Sequence, residues 1–450
     1  MSETLLSNWD AMVASAPRAT AVIDAASWHE FTREELDARA TLWRETHGGG
    51  LAGLTIVLAE PNGPEWLSVF LGLLKSGAVI APLDPGEPRP AQHAAAASIG
   101  AGWLWAGGAM RRVEGSPRRT RHDQRIIKLT SGSTGTPRAL GFSDAQMLAD
   151  GRQVSAGMDI RPEDVNFGLI PFGHSYGLGN IVVPLVAQGT CVVCGAAALP
   201  HVIADAIARG RATVFPAVPA LVRALAISDI PPVKLESLRT IISAGAPLSP
   251  GVAEAFTARF GRKVHSFYGS TETGGITYDR SGEAARTGRS VGTPLPGVRL
   301  KFARGQRFDV ESAAVFTLRN RLRGERGLGV HRPADLGALS ADGELVLQGR
   351  AGRFEKIAGR RLNLAEVERA LREIPGVRDA MVVAHSARAD ALEAAVATDH
   401  GAEFLRTTLR ARMAGWKIPK RIVTLTAFPL TVRGKTDTRA LREMLAGSKL

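Results

Sequence analysis

The feature that most constrains the fold is a repeated exchange of short apolar runs and amphipathic stretches. Residues 54–59 and 78–83 are almost wholly apolar, which is typical of strands buried on both faces of a sheet. Residues 64–76, between them, space their apolar side chains as a helix does. A buried strand, a helix and a second buried strand predict a parallel βαβ unit. The same alternation returns between residues 144 and 267, so we predict a doubly wound α/β architecture.

The stretch LTSGSTGTPRAL, residues 129–140, contains almost nothing that can serve a core. Its glycines allow the backbone to approach a ligand closely. Its possible donors include the hydroxyls of Ser131, Ser133, Thr134 and Thr136 and the guanidinium of Arg138. An apolar strand followed by such a loop predicts a cradle for a polyphosphate; a Ser/Gly linker is the alternative. The loop lacks the G-K-[ST] ending of kinase-type and GTPase-type P-loops, which argues against those classes.

The composition and charge of the chain limit the classes of partner that it can be expected to bind. With 450 residues, 45% hydrophobic and 22% charged, it falls in the ordinary globular range and has room for about two to four domains. Residues 350–450 hold 20 basic and 11 acidic side chains, a net +9 of the chain's +13. Because only 6% of residues are aromatic and no nucleic-acid motif occurs, we expect a nucleotide or an acidic carrier protein rather than nucleic acid.

The two cysteines, Cys191 and Cys194, occur in the run TCVVC. A C-x-x-C pair can serve redox chemistry or half of a zinc site, but no second pair completes a metal set. The valines between them indicate a buried strand, so we predict a core role for both thiols. No apolar run reaches the ~18 residues of a membrane helix, and the amino terminus lacks a leader pattern. We therefore expect a cytoplasmic protein without a membrane span.

Two further stretches follow predicted strands and resist a core interpretation. SAGAPLSP (residues 243–250) comes after residues 238–243, and YGSTETGG (residues 268–275) comes after residues 264–267. Open α/β sheets bind ligands in the crevice at the carboxyl ends of their strands. Together with residues 129–140, these loops predict one anion-binding crevice, although either alone could be a surface turn.

The carboxyl-terminal part of the chain has a different character. The βα rhythm breaks into short β-like pieces over residues 298–330 and changes again at Gly349. The last hundred residues, with predicted helices at 364–373 and 403–413, suit a separate α+β domain. The arginine-rich residues 111–125 are interpreted as a solvated loop.

Seven stretches in order resemble the motif series of the adenylate-forming superfamily, which includes acyl- and aryl-CoA synthetases and peptide-synthetase adenylation domains. They are LTSGSTGTPRAL, PFGHSYG, SAGAPLSP, YGSTETGG, ADLGALSADGELVLQGR, KIAGRRLNLAEVE and RGKTDTRALR. The resemblance covers essentially the whole chain. It implies an α/β fold with a large N-terminal domain (residues 1–349) of two α/β subdomains plus a small β-barrel. A small, mobile α+β C-terminal domain (residues 350–450) follows.

The resemblance also assigns roles at matching positions. It implies that ATP is held by Thr130, Ser131, Gly132, Ser133, Thr134, Gly135, Gly245, Ala246, Pro247, Tyr268, Gly269, Ser270, Thr271, Asp335 and Arg350. Within that set the first six hold phosphates, Tyr268 and residues 245–247 form the adenine slot, and Asp335 binds the ribose. Glu272 would be the Mg²⁺ ligand, an arrangement in which one carboxylate and phosphate oxygens share a hard cation.

Three residues are implied in the chemistry itself. Lys435, in RGKTDTR, would stabilise charge as a carboxylate attacks the α-phosphate. His174, in PFGHSYG, would orient the carboxylate or gate the acyl pocket. Arg138 stands where the family usually has lysine, which exchanges a point charge for a planar fork. Gly352 is a second departure, at a position where the family often has a hinge aspartate.

The implied reaction is activation of a carboxylic acid by ATP and transfer of the acyl group to a thiol, that of CoA or of a carrier protein's pantetheine. The pocket stretch around His174, Tyr176 and Ser243 is apolar and rich in small residues. It lacks a carboxylate for a substrate ammonium, which disfavours amino acids and leaves aryl and fatty acids open. A nucleotide-binding protein without ligase activity is the alternative from a different class, motivated by Arg138 and Gly352.

Overall fold

The computed structural model describes residues 3–114, 123–130, 138–316, 329–350, 354–357, 360–384, 391–431 and 436–447. The predicted loop residues Ser131, Gly132, Ser133, Thr134 and Gly135, together with Gly352 and Lys435, lie outside these ranges.

Helices and strands alternate along most of the chain. The helices are α1 (Leu5–Ser15), α2 (Arg33–His47), α3 (Pro64–Lys75), α4 (Arg89–Ser98), α5 (Asp144–Met158), α6 (Ser175–Gly177), α7 (Val183–Gln188), α8 (Pro200–Gly210), α9 (Pro219–Ala226), α10 (Pro250–Phe260), α11 (Glu283–Thr287), α12 (Leu364–Arg372), α13 (Ala402–Arg410) and α14 (Thr438–Gly447). A π-helical turn, Leu178–Val182, joins α6 to α7.

The strands up to the middle of the chain are β1 (Thr20–Asp24), β2 (Glu30–Thr32), β3 (Thr55–Leu58), β4 (Val79–Pro82), β5 (Trp103–Trp105), β6 (Met110–Arg112), β7 (Ile126–Thr130), β8 (Arg138–Phe142), β9 (Val165–Gly168), β10 (Cys191–Cys194), β11 (Val214–Ala217), β12 (Thr240–Ser243), β13 (Val264–Ser270) and β14 (Gly274–Tyr278). Those that follow are β15 (Thr293–Pro294), β16 (Arg299–Phe302), β17 (Phe308–Ser312), β18 (Gly329–His331), β19 (Asp335–Leu339), β20 (Leu345–Arg350), β21 (Phe354–Ile357), β22 (Arg360–Asn363), β23 (Val377–Ala384), β24 (Leu392–Thr398) and β25 (Arg421–Leu425).

Two large sheets carry the N-terminal part of the protein. The first has the order β6-β5-β3-β4-β7-β8, and the second has the order β15-β14-β13-β12-β11-β9-β10-β1-β2. The inner strands β3 and β4 of the first sheet pair in parallel, as do β11, β12 and β13 of the second. Residues of β3, β4, β11 and β12 are buried along their whole length, because helices cover both faces of such sheets. The predicted pair of α/β subdomains is thus confirmed.

Local sequence signals explain where several helices begin. Thr32 Oγ1 accepts from the backbone N–H of Glu35 at 3.2 Å, and a Glu35 carboxylate oxygen accepts from the N–H of Thr32 at 2.8 Å. This reciprocal capping box satisfies two donors that the first turn leaves unpaired. Ser143 and Gln146 form the same arrangement before α5. Thr32 is therefore the N-cap of α2.

The remaining strands form smaller sheets. In the region where the resemblance implies a barrel, β16, β17 and β18 form one sheet and β19 and β20 another, linked by a bridge between Arg307 and Leu336. The C-terminal part contains β21 paired with β22, and a sheet of order β23-β24-β25. Its helices α12 and α13 share a core with that sheet, built on Val367, Leu371 and Leu405 among others.

Two local predictions need correction. Residues 268–275 are not a loop after the sheet, because β13 runs on to Ser270 and turns back antiparallel as β14. Arg111 and Arg112, placed by sequence in a solvated loop, belong to the edge strand β6. An edge strand pairs on one side only and tolerates charged side chains, so the two arginines of β6 made it resemble a loop. Cys191 and Cys194 are buried free thiols, as predicted.

Candidate functional site

The turn between β13 and β14 lies at the centre of the candidate site. It contains Thr271 and Glu272 and is flanked by Tyr268 on β13. The Tyr268 hydroxyl donates to a carboxylate oxygen of Asp335 at 2.8 Å, across 67 residues of sequence. The structure thus brings together the aromatic side chain assigned to adenine and the acid assigned to ribose, and a hydrogen bond to a carboxylate is among the stronger ones.

Arg350, another residue that the resemblance assigns to ATP, joins them through the backbone. Asp335 begins β19 and Arg350 ends β20, and the two are direct partners in the antiparallel ladder. Arg138 occupies the equivalent place in the first sheet, because it begins β8 opposite Thr130, the last residue of β7. Thr130 and Arg138 therefore lie where the strands enter and leave the predicted phosphate loop.

The turn that contains His174 is held by contacts from two other elements. Asn62, which follows β3, donates through Nδ2 to the carbonyls of Gly168 and Ile170 at 2.9 and 2.8 Å. Its Oδ1 accepts from the backbone N–H of Phe172 at 2.8 Å. Ser175 Oγ donates to Thr271 Oγ1 at 3.1 Å. The His174 turn is therefore fastened to both sheets and lies against the Thr271 turn.

His174 has a defined hydrogen-bonding role in this turn. Its Nδ1 accepts from the backbone N–H of Tyr176 at 3.2 Å, so the neutral ring carries its hydrogen on Nε2. A ring in this tautomer cannot remove a proton at Nε2. This agrees with the orienting role that the resemblance implies.

Gly245, Ala246 and Pro247 follow β12 and are exposed. Gly245 has φ +84°, and a Cβ there would come no closer than 3.8 Å to another atom, the Cγ1 of Val218. Its glycine is needed for the backbone conformation and not for space. Since Ser243 of β12 pairs with Ser266 of β13, the 245–247 segment leaves the sheet beside the strand that carries Tyr268.

Two buried hydroxyls lie among the residues assigned to the acyl pocket. Ser243 Oγ has no hydrogen-bond partner within the described ranges, nor does Tyr176 Oη, although the latter lies beside the Ala217 backbone. Burial raises the pKa of Tyr176 well above its usual value, so its phenol stays neutral. Both hydroxyls are able to hydrogen-bond a polar group of a ligand.

Glu272 shares its surroundings with an unexpected residue, His331 on β18. Burial lowers the pKa of His331, the positive charge of Arg138 lowers it further, and the negative charge of Glu272 opposes both. The assigned metal ligand and the assigned phosphate residue therefore lie within electrostatic reach of one imidazole. In the described ranges no group of three His, Cys, Asp or Glu side chains is arranged to hold a metal ion. A cation bound at Glu272 would need phosphate oxygens as further ligands, which is the usual magnesium arrangement.

Several residues in or near the candidate site had only weak signals in the sequence. Asn62 stands in EPNGP directly after an apolar strand, and Lys128 interrupts the apolar run IIKL before the phosphate loop. Asp150 is one charge on an otherwise ordinary helix, and His331 is one residue of an irregular stretch. A charge inside an apolar strand was the one signal that could have been found by pattern alone.

The models of two protein families match the chain. The AMP-binding enzyme model matches residues 102–306, and the AMP-binding enzyme C-terminal domain model matches residues 366–435. Together the matches cover more than half of the chain. The chain belongs to the AMP-binding enzyme family.

Relatives of this AMP-binding enzyme differ in size. A probable non-canonical nonribosomal peptide synthetase, CymA of Salinispora arenicola, is 27% identical over 86% of the chain, which spans only 5% of that protein. The L-proline–[L-prolyl-carrier protein] ligase of Streptomyces coelicolor is 26% identical over 93% of the chain and 92% of its own length. Relatives named as coenzyme A synthetases or synthases occur at similar identity.

The crystal structure of ATP-bound MatB from Rhodopseudomonas palustris superposes with a TM-score of 0.82. It covers 99% of both chains at 22% sequence identity, and so the likeness shows the fold. The predicted fold class of the AMP-binding enzyme is confirmed. The described residues include no helix long and apolar enough to cross a membrane.

Proposed function

We propose that this AMP-binding enzyme uses ATP to convert a carboxylic acid into an acyl-adenylate and then transfers the acyl group to a pantetheine thiol, that of CoA. The observation that carries the proposal is the Tyr268–Asp335 hydrogen bond beside the turn that holds Thr271 and Glu272. The β13-β14 hairpin thus supplies an aromatic face at Tyr268 and a metal-binding carboxylate at Glu272. Asp335 of β19 lies beside them as the ribose acceptor.

The reaction has two steps. First, an oxygen of the substrate carboxylate attacks the α-phosphorus of ATP, the bond from that phosphorus to the bridging oxygen breaks, and pyrophosphate leaves. Second, the thiolate attacks the acyl carbon, the bond between that carbon and the AMP oxygen breaks, and AMP leaves. The thiol proton passes to solvent. Both steps bring anions together, so positioned donors and positive charges stabilise each transition state.

The residues of the chain divide this work. Tyr268 and Asp335 position the nucleoside, and Thr271 donates to the α-phosphate. The loop from Thr130 to Gly135, with Arg138, holds the phosphates that leave. Mg²⁺ at Glu272 supplies charge neutralisation for the triphosphate.

His174 and Lys435 act on the other reactant. His174 orients the substrate carboxylate, and the contact of its Nδ1 with the backbone N–H of Tyr176 holds the ring in place. Lys435 of the C-terminal domain stabilises the charge that develops at the α-phosphate during attack.

The acid is proposed to be an aryl or fatty acid. The assigned pocket is formed by the His174 turn and the end of β12, and it offers buried hydroxyls at Tyr176 and Ser243. The stretch PFGHSYG contains no carboxylate for a substrate ammonium. An acyl carrier protein is the alternative acceptor. The full-length similarity to the prolyl-carrier protein ligase favours it, and the basic C-terminal domain suits either acidic partner.

Acid-dependent ATP–pyrophosphate exchange tests the proposal. With a panel of aryl, fatty and amino acids, we expect exchange with aryl or fatty acids only, followed by thioester formation on adding CoA. Glu272→Gln is the matched control, since it keeps the volume but removes the metal-binding charge and should cut exchange by about 10²-fold. Thioester formation with carrier proteins alone would select the alternative acceptor. ATP binding without exchange for any acid would favour the binding-protein hypothesis.

A further inference from the structure

A buried ion pair lies directly behind the candidate site. The Lys128 Nζ is 3.7 Å from Asp150 Oδ2, and each side chain is 4% exposed. The same Nζ lies 4.5 Å from the centre of the Phe142 ring. Removing two charges from water costs more than their attraction often returns, so a buried pair is weak evidence of stability and is better explained by a specific arrangement that it enforces.

The pair connects the two elements that are assigned to the triphosphate. Lys128 belongs to β7, which ends at Thr130 where the phosphate loop begins. Asp150 belongs to α5, and its Oδ1 accepts from the buried backbone N–H of Gly275 at 3.0 Å. Gly275 lies on β14, three residues after Glu272. One carboxylate therefore contacts both the strand that leads to the phosphate loop and the hairpin that carries Thr271 and Glu272.

Glycines around the Asp150 carboxylate leave the space that it occupies. A Cβ at Gly274 would lie 2.1 Å from Asp150 Oδ1, and a Cβ at Gly179 would lie 2.9 Å from Oδ2. Gly274 also has φ +69°, a conformation that glycine adopts at little cost. The hairpin is thus shaped to close on the carboxylate.

Helix α5 adds a second connection on the same side. Gln146 Nε2 donates to the Val315 carbonyl at 2.8 Å, and the next residue, Phe316, donates its backbone N–H to the Glu272 carbonyl at 2.8 Å. Phe316 also packs against Phe142, with ring centres 5.8 Å apart. The position of the Glu272 turn therefore depends on α5 at two points.

We propose that Lys128 and Asp150 form a positioning pair that holds the phosphate-loop strand and the Thr271–Glu272 hairpin at the spacing required for adenylate formation. Neither residue contacts substrate in this role. The inference rests on the proposed function, and it distinguishes between the two half-reactions. The pair should matter for the step that uses the triphosphate and not for thiol transfer, because pyrophosphate has then left.

The experiment compares the two half-reactions in Lys128→Met and Asp150→Asn. Both substitutions keep most of the side-chain volume, and the amide introduced by Asp150→Asn still offers an oxygen to Gly275. We expect kcat for ATP–pyrophosphate exchange to fall by at least tenfold and KM for ATP to rise, with KM for the acid unchanged. Thioester formation from supplied acyl-adenylate should stay within twofold of the wild-type rate.

Arg239→Met is the control, because the Arg239–Asp164 pair (2.5 Å) also contains a buried aspartate and joins the residues directly before β12 and β9 of the second sheet. It should lower Tm and leave the ratio of the two half-reactions at the wild-type value. Variants of Lys128 or Asp150 that lower both half-reactions in the same proportion would overturn the inference, as would variants that exchange normally. If Lys128→Met does not fold, the ratio of the two half-reactions in Asp150→Asn alone tests the inference. A wild-type protein that transfers from adenylate but never forms it would instead overturn the proposed function.

Discussion

The edge of the second sheet that carries Tyr268 and the Thr271 turn is built differently from the C-terminal domain. At the edge, Tyr268, Asp335 and the Thr271 turn are fixed by hydrogen bonds between residues far apart in sequence. The C-terminal domain has its own cores, formed by α12, α13, α14 and the β23-β24-β25 sheet. The difference indicates that the residues assigned to the nucleotide are preassembled in one domain, whereas the lysine assigned to catalysis belongs to another.

The largest effect is expected from Lys435→Ala. If the C-terminal domain contributes only this charge to adenylation, exchange should fall by about 10²–10³-fold, while the Kd for ATP changes little. Lys420→Ala removes another basic residue of the same domain and is the control. Exchange rates and ATP calorimetry measure the two effects. An equal loss in both variants would mean that overall charge, and not Lys435, is responsible.

The next effect tests whether the domains are energetically separate. Leu371 is completely buried in the α12 core, so Leu371→Ala should destabilise that domain by about 2–5 kcal/mol. Exchange should fall, but Cys191 and Cys194 should remain unlabelled by a thiol reagent at pH 8. Burial raises the pKa of Cys191 to about 12, so the reactive thiolate is scarce at that pH.

Leu225→Ala is the matched control for this variant. Leu225 is also completely buried and shares a core with Val193, which lies on the same strand as both cysteines. Partial unfolding there should expose the thiols, and mass spectrometry reports the labelling. Labelling of the cysteines in Leu371→Ala would show that the two regions unfold together.

A smaller effect is expected within the preassembled edge. Tyr268→Phe keeps the aromatic face and removes the bond to Asp335, a change of about 1–1.5 kcal/mol that corresponds to a roughly tenfold rise in KM for ATP. Steady-state kinetics with ATP varied measures it. Asp335→Asn, which keeps an acceptor for the phenol, separates that bond from the ribose contact. An unchanged KM in Tyr268→Phe would mean that the hydrogen bond contributes nothing to ATP binding.

The smallest effect is expected from Arg138→Lys. Lysine restores the residue usual in related motifs and keeps the charge, so exchange should stay within about threefold or rise. Complete loss would show that the planar guanidinium is required. The variant is measured by the same exchange assay, with Arg112→Lys on the edge strand β6 as control.

Sequence patterns anticipated the parts of the fold that depend on short-range order. The apolar strands β3 and β4 carry their signals within a few residues, and both are confirmed. The strand character of Tyr268–Ser270 was missed because glycine and hydroxyl residues dominate it, and only pairing with β14 makes it a strand. The edge strand β6 was missed because it buries no side chain and therefore shows no apolar pattern.

The site was anticipated through ordered motifs and not through spatial reasoning. The contact between Tyr268 and Asp335 confirms that two of the assigned residues lie together, but their roles in binding remain predictions. The Lys128–Asp150 pair could not be derived, because it depends on how α5 packs across two sheets. Asn62 was missed for the same reason, since its three partners lie more than a hundred residues away.

The pairing of β1 with β10 also constrains how the protein folds during synthesis. Val22 of the hairpin β1-β2 is a parallel partner of Val192, about 170 residues downstream. At a synthesis rate of about 5–20 residues per second, the hairpin waits roughly 10–30 s for that neighbour. A two-stranded hairpin is marginal on its own in water. The strand β1 therefore finds its parallel neighbour only after β10 has been made, and a nascent chain exposes it for that interval.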